Sequence, residues 1–245
     1  MPHSRSSPNP EVSEELDHLV DRVAALSLPG RATIEGGIDA RVALAAFLIR
    51  CREILLAVRA LATFGCERVV DPLVRSSVEF AATSGWMMAE PQQHFAVMLG
   101  STRRDLRLAL REYQASQGAV QIQDRNLTEF LDAGPSEQQL PPMPERARIA
   151  GIEEWYTSYR LLSATTHGSL LGAFAGAQVR HNDVMVDTRA YRPSLLTTAA
   201  MTLFTARLAN TCFAWGRDEA LNQAVAEFNL RASESSVPTI FVPRT

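Results

Sequence analysis

Four side chains in one short run have the types and spacing for acid–base chemistry on an anion. Within EEWYTSYRLLSATTHG, Tyr156, Arg160, Ser163 and His167 recur at helical spacing. At 100° per residue they fall within an arc of about 60° on one face of a helix. An imidazole that titrates near neutrality, a guanidinium, a hydroxyl and a phenol then face the same space. Arg160 and His167 stand two turns apart, so both can reach one bound anion. Because Gly168 follows, His167 can sit in a last helical turn, where the negative end of the macrodipole favours imidazolium. If the helix instead continues, Gly168, Gly172 and Gly176 form a small-residue ridge.

A second polar pair, Arg75 and Glu79, is spaced i,i+4 on an earlier segment, with Trp86 on the same face. Leu73, Val74, Val78, Ala81 and Met87 make that segment apolar on its other sides. The pair is therefore expected to be interior and to need partners, since a buried unpaired ion is strongly disfavoured. It either faces the Tyr156–His167 stripe and orients the imidazole, or forms a self-contained ion pair that fixes helix packing.

The elements that must position these groups read as helices nearly throughout. Asn9-Pro10 has the form of an N-cap and first position for a helix to about Leu26. Asp39 opens a long apolar helix through Phe64, Asp71-Pro72 a third to about Ala89, and Pro91 a fourth to about Ser116. Residues 117–152 are Gln-rich, carry four prolines between Pro135 and Pro144, and read as a long surface excursion. The segment AQVRHNDVMVDTR alternates around Asn182-Asp183 as a β-hairpin does. Pro193 then opens an apolar helix to about Trp215, and a last amphipathic helix covers roughly 218–231. The expectation is an all-α fold: a multi-helix bundle over residues 10–232 with a small β-hairpin insertion before the penultimate long helix. Residues 1–9 are expected to be disordered, and 233–245 to be a loose tail.

Composition removes several function classes. All 24 basic residues are arginine. With no lysine, Schiff-base chemistry, serine–lysine dyads and the GxxxxGK[ST] phosphate loop are excluded. Net charge is −3, so nucleic-acid binding would have to rest on a local patch. Cys51, Cys66 and Cys212 are far apart and odd in number, which fits a reducing cytoplasm better than a disulfide framework. MPHSRSSPNP lacks the apolar core of a secretory signal. Val42–Ile49 and Ser194–Ala206 are apolar or uncharged but far short of the roughly 20 residues of a membrane span, so both read as core. No cofactor and no metal are expected.

Two further clusters have plain readings. Arg103, Arg104, Arg107 and Arg111 form a basic stripe on the fourth helix that could track RNA phosphates. Asp105 and Glu112 are interleaved with it, so a solvated face is the simpler expectation, with Leu106, Leu108 and Leu110 on the buried side. His181, Asp183 and Asp187 straddle the predicted turn, where Asn and Asp are favoured for local hydrogen bonds rather than for metal binding.

The segment Arg160-(six residues)-His167 resembles the R-x(4–6)-H signature of HEPN domains, compact bacterial helical bundles that often dimerise. The layout of R-x3-E on an earlier helix and Y-x3-R-x2-S-x3-H before a hairpin is also similar to an uncharacterised bacterial helical family. The resemblance covers residues 38–217 and rests on short motifs. It implies a homo-oligomer and, in the catalytic members, a metal-independent endoribonuclease. His167 would then be the acid/base and Arg160 would stabilise the phosphate, with Ser163 or Tyr156 positioning. Leu161 departs from those enzymes, which usually carry a polar residue after the arginine. Two alternatives stay open: a non-catalytic module that binds a protein partner or small anion, and a small-molecule enzyme using Glu79 and His167 as a dyad.

Overall fold

The computed structural model describes residues 10–28, 39–63, 70–117, 125–134, 139–166, 177–180, 183–186, 191–235, 237–238 and 240. The fold is all-α. Among the described residues the helices run α1 (Pro10–Leu26), α2 (Ala40–Thr63), α3 (Asp71–Ala89), α4 (Pro91–Gln117), α5 (Arg125–Asp132), α6 (Met143–Ala150), α7 (Glu154–Thr166), α8 (Tyr191–Phe213) and α9 (Asp218–Ser233). Between α7 and α8, β1 (Ala177–Arg180) and β2 (Asp183–Val186) pair antiparallel, with Ala177 opposite Val186 and Arg180 opposite Asp183.

α3 and α8 form the centre. α8 packs on α2, α3, α9 and α1, while α3 also packs on α2, α4, α6 and α7. On α2 the buried positions Leu44, Leu48, Cys51, Leu55 and Val58 keep the three-and-four spacing that puts one stripe inward. Its first turn is capped by Asp39, whose carboxylate accepts from the backbone N–H of Arg41 (2.9 Å) and Val42 (3.1 Å). The uncharged stretch of α8 is indeed core: Leu195, Leu196, Ala199, Met201 and Leu203 are all buried. Thr198, Thr202 and Thr205 are buried beside them, and each donates its hydroxyl to a carbonyl one turn back, 2.7–3.1 Å away. The hydroxyls are thus satisfied within the helix, which leaves the methyl groups to pack.

Cys51 lies in this α2–α8 seam, fully buried, 3.8 Å from the Thr205 hydroxyl. Burial pushes its thiol up to about 12. An unfolded thiol ionises near 8.5. The stability that Cys51 contributes is therefore fully present below that value and lost as pH rises from there towards 12. Cys51→Ala should flatten the alkaline limb of a stability-versus-pH curve. Native protein should resist alkylation at Cys51 under mildly alkaline conditions and accept it in denaturant. Rapid native labelling at Cys51 would show that the seam is open. Cys66 lies outside the described residues.

Three sequence expectations need correction. Residues 143–152 are not surface excursion: α6 lies on α3, with Met143, Arg146, Ala147 and Ile152 buried. Gly151, at φ 70°, closes α6 in the left-handed conformation that glycine accepts most readily. The described residues after α9 are held rather than loose. Val237 is buried, and the Asn229 side chain holds Ile240 by both its backbone N–H (2.8 Å) and its carbonyl (2.9 Å). The third concerns α4. Leu106 and Leu108 are 37% and 43% exposed, since two residues apart on a helix they face nearly opposite ways and cannot share one buried side. Residues 1–9 and 241–245 lie outside the described residues.

Candidate functional site

The polar groups of α3 find partners on two different helices. Arg75 lies against α7: its Nη2 donates to the Tyr159 hydroxyl at 3.3 Å, and its guanidinium carbon stands 5.3 Å from the centre of that ring. One turn along, Glu79 turns to α6 and accepts from Arg146 Nη2 at 3.4 Å. The Arg146 side chain is only 8% exposed, against 41% for Glu79, so the buried member of this pair is the cation. Arg146 Nη1 also donates to the Thr83 hydroxyl, which in turn donates to the Glu79 carbonyl (2.7 Å).

The close approach that delivers Arg146 depends on Gly85. A Cβ there would stand 2.5 Å from Ala150 Cβ, which places α6 directly on the α3 backbone. Arg146 is one turn before Ala150, at the level of Glu79 and Thr83. Two of the guanidinium nitrogens are thereby engaged, while Arg146 Nε is buried with no hydrogen-bond partner among the described residues.

On α7 the expected stripe lies on the shoulder of the helix rather than at its inward centre. Trp155 is buried in the core, and Tyr159 and Leu162 continue that side at three- and four-residue spacing. Tyr156 is half-buried and stacks on Tyr159, with ring centres 6.0 Å apart and planes at 19°. Arg160 is exposed, as is Leu161 beside it. Ser163 is half-buried, yet its Oγ is shielded from solvent and has no hydrogen-bond partner among the described residues. His167 lies outside the described residues, as do His181 and Asp187.

Sequence reasoning missed Tyr159, Thr83, Arg146 and Gly85. Tyr159 sits on the i,i+4,i+7 line with Trp155 and Leu162, a signal that was readable. Met143, Ala147 and Ala150 mark one face of a short helix, with Arg146 on it, but the prolines around them disguise it. Gly85 carried no local signal, since only its neighbour across the interface requires it.

The basic stripe of α4 is partly spent on structure. Arg103 Nε donates to the Phe130 carbonyl (2.9 Å), with its guanidinium 4.9 Å from the Phe130 ring centre, and Arg107 donates to the Leu131 carbonyl. These carbonyls end α5, where the helix presents partial negative charge to any cation. Arg104 faces the side-chain amide of Gln139.

The chain matches no family model, and no curated protein or solved structure is significantly similar to it. Among the described residues no helix is long and apolar enough to cross a membrane.

Proposed function

We propose that the chain is a HEPN-like helical module that binds a small anion, or an anionic group of a partner, on the outer shoulder of α7. The observation that carries this reading is the pairing of an exposed Arg160 with a Ser163 hydroxyl that is shielded and has no partner among the described residues. Residues three apart are neighbours on a helix surface. A phosphate or carboxylate there can accept from the exposed guanidinium, and from the hydroxyl once what shields its Oγ moves aside; charge-assisted bonds of the first kind are the strong ones. The groups expected to orient a catalytic imidazole are engaged in joining helices, Glu79 to Arg146 and Arg75 to Tyr159. That favours binding over turnover, and it weighs most against the Glu79–His167 dyad.

The second reading is the metal-independent endoribonuclease, in which His167 is the acid/base and Arg160 holds the phosphate. The exposure of Arg160 favours it, because a polyanion has to be met at the surface.

Calorimetric titration with inorganic phosphate and with a short mixed-sequence RNA tests both. Saturable binding should weaken about 10–100-fold in Arg160→Ala, the range expected for a lost charged hydrogen bond. Ser163→Ala should weaken it less, and melting should be unchanged in both variants. Absence of saturable binding by either probe overturns the module reading. RNA cleavage by the wild type that disappears in His167→Ala replaces it with the ribonuclease.

A further inference from the structure

The segment after α9 returns along the helix that precedes it. Ser235 N–H donates to the Ala232 carbonyl (2.9 Å) and Val237 N–H to the Ser235 carbonyl (2.6 Å), so the chain doubles back between Ala232 and Val237. One turn down, the Asn229 amide takes both backbone groups of Ile240. Its Nδ2 donates to the Ile240 carbonyl (2.9 Å), and its Oδ1 accepts from the Ile240 N–H (2.8 Å). Asn229 shares a line of α9 with Val225 and Ala232, both wholly buried, and is itself half-buried at the rim of the core. Val237 belongs to the main apolar cluster, and Ile240 packs against it.

Proteins read extended peptides with this chemistry. An amide that satisfies the donor and the acceptor of one residue does what a neighbouring strand would do, whatever that residue's side chain. Backbone bonds of this kind give affinity, and the apolar side chains that the seat covers give specificity. Here those side chains are Val237 and Ile240, three residues apart.

The reversal that delivers the segment is not written into local chemistry. α6 is closed by Gly151 in the left-handed conformation. α9 instead ends at Glu234 with φ −84° and ψ −2°, and no described residue from there to Ile240 has a positive φ. No glycine stands between Ser233 and Ile240. The seat itself therefore keeps the segment down. A second copy carries the same segment and would make the same contacts, so exchange between copies loses association entropy but no contact.

We infer that the groove beside Asn229 on α9 is a seat for an extended peptide, filled in cis by Val237 and Ile240, and that the same segment of a second copy takes it in trans. The inference does not depend on the anion reading of the α7 shoulder.

The full chain carrying Val237→Asp and Ile240→Asp has the seat empty. By fluorescence anisotropy it should bind a labelled peptide of residues 234–245 saturably, with a Kd below about 1 mM. Wild type should bind the peptide at least about tenfold more weakly, because its own segment competes. Adding Asn229→Ala to the emptied chain should weaken the peptide about 10–100-fold, the loss expected for two hydrogen bonds. Mixed one to one with Asn229→Ala, whose segment is loosened, the emptied chain should form a heterodimer in sedimentation velocity that neither variant forms alone. Peptide binding without that heterodimer overturns exchange between copies, and absence of binding overturns the seat. So does binding that Asn229→Ala leaves unchanged. If the emptied chain fails to fold, the wild type decides. Its Ile240 N–H should exchange with deuterium by local opening, at a rate insensitive to low denaturant. Exchange only through global unfolding would make the segment a fixed part of the core and overturn the inference.

Discussion

Gly85→Ala should destabilise the protein, although it replaces a glycine inside a helix with the best helix former. Propensity alone predicts a gain of about 1 kcal/mol. The new Cβ, however, would lie 2.5 Å from Ala150 Cβ and 3.0 Å from both Ala150 Cα and Phe204 Cζ. Neither the α6 backbone nor a core ring can yield without disturbing other contacts, and overpacking of this kind costs about 1–3 kcal/mol. We expect a net loss in that range, visible as a drop of roughly 2–4 °C in Tm per kcal/mol for a chain of this size. Ala150→Gly in the same molecule should restore most of the loss by removing the nearest clashing atom. A variant as stable as wild type, or more so, would show that α6 does not rest on α3 at this distance.

The Arg146 cluster should respond asymmetrically. Glu79→Ala removes the carboxylate paired with a guanidinium that is only 8% exposed, leaving a buried cation whose remaining hydrogen-bond partner among the described residues is Thr83. Breaking a fully buried pair in this way costs about 3–5 kcal/mol. Since the Glu79 side chain is 41% exposed, water can reach the vacated position. We therefore expect less, about 2 kcal/mol. Arg146→Met fills much of the same volume and leaves behind a carboxylate that solvent can reach. Its cost should be smaller, and chemical denaturation of the two variants would rank them. The double variant should lose less than the sum of the singles, because the stranded cation is gone. A larger loss for Arg146→Met than for Glu79→Ala would place the buried member of the pair on the wrong side.

Helix starts were readable because they are written in local chemistry. Pro10, Asp71-Pro72, Pro91 and Asp218 open α1, α3, α4 and α9 where proline or an acidic first turn places them. What the sequence could not reveal is where each helix meets its neighbours. The apolar period of α4 predicted a buried side for Leu106 and Leu108. Yet Leu106 and Leu108 stand about 160° apart around the helix, so no single side could bury both. On α7 the spacing placed Tyr156, Arg160 and Ser163 within one arc, but periodicity fixes relative angles and not which angle faces inward. The inward side is centred on Trp155, Tyr159 and Leu162, which leaves Arg160 outside. The polar cluster expected between α3 and α7 is likewise divided, because α6 supplies the buried cation that Glu79 faces, and α6 was hidden among prolines.

Two helices made far apart in time, α1 and α9, hold one another. Arg22 on α1 reaches Glu227 on α9 at 3.1 Å across 205 residues of sequence, and Arg231 on α9 returns to Glu15 at 2.6 Å. Leu19, Val20 and Val23 of α1 are wholly buried in the same cluster as Leu221, Val225 and Phe228 of α9. While the ribosome is still reading the middle of the message, α1 can rest on α2, through the Arg59–Asp21 pair and Arg52 on the Ala24 carbonyl, but the face it gives to α9 waits uncovered. Closure comes only once α9 has left the exit tunnel, so a stalled or truncated product lacking α9 should be handed to proteolysis rather than accumulate as a working fragment.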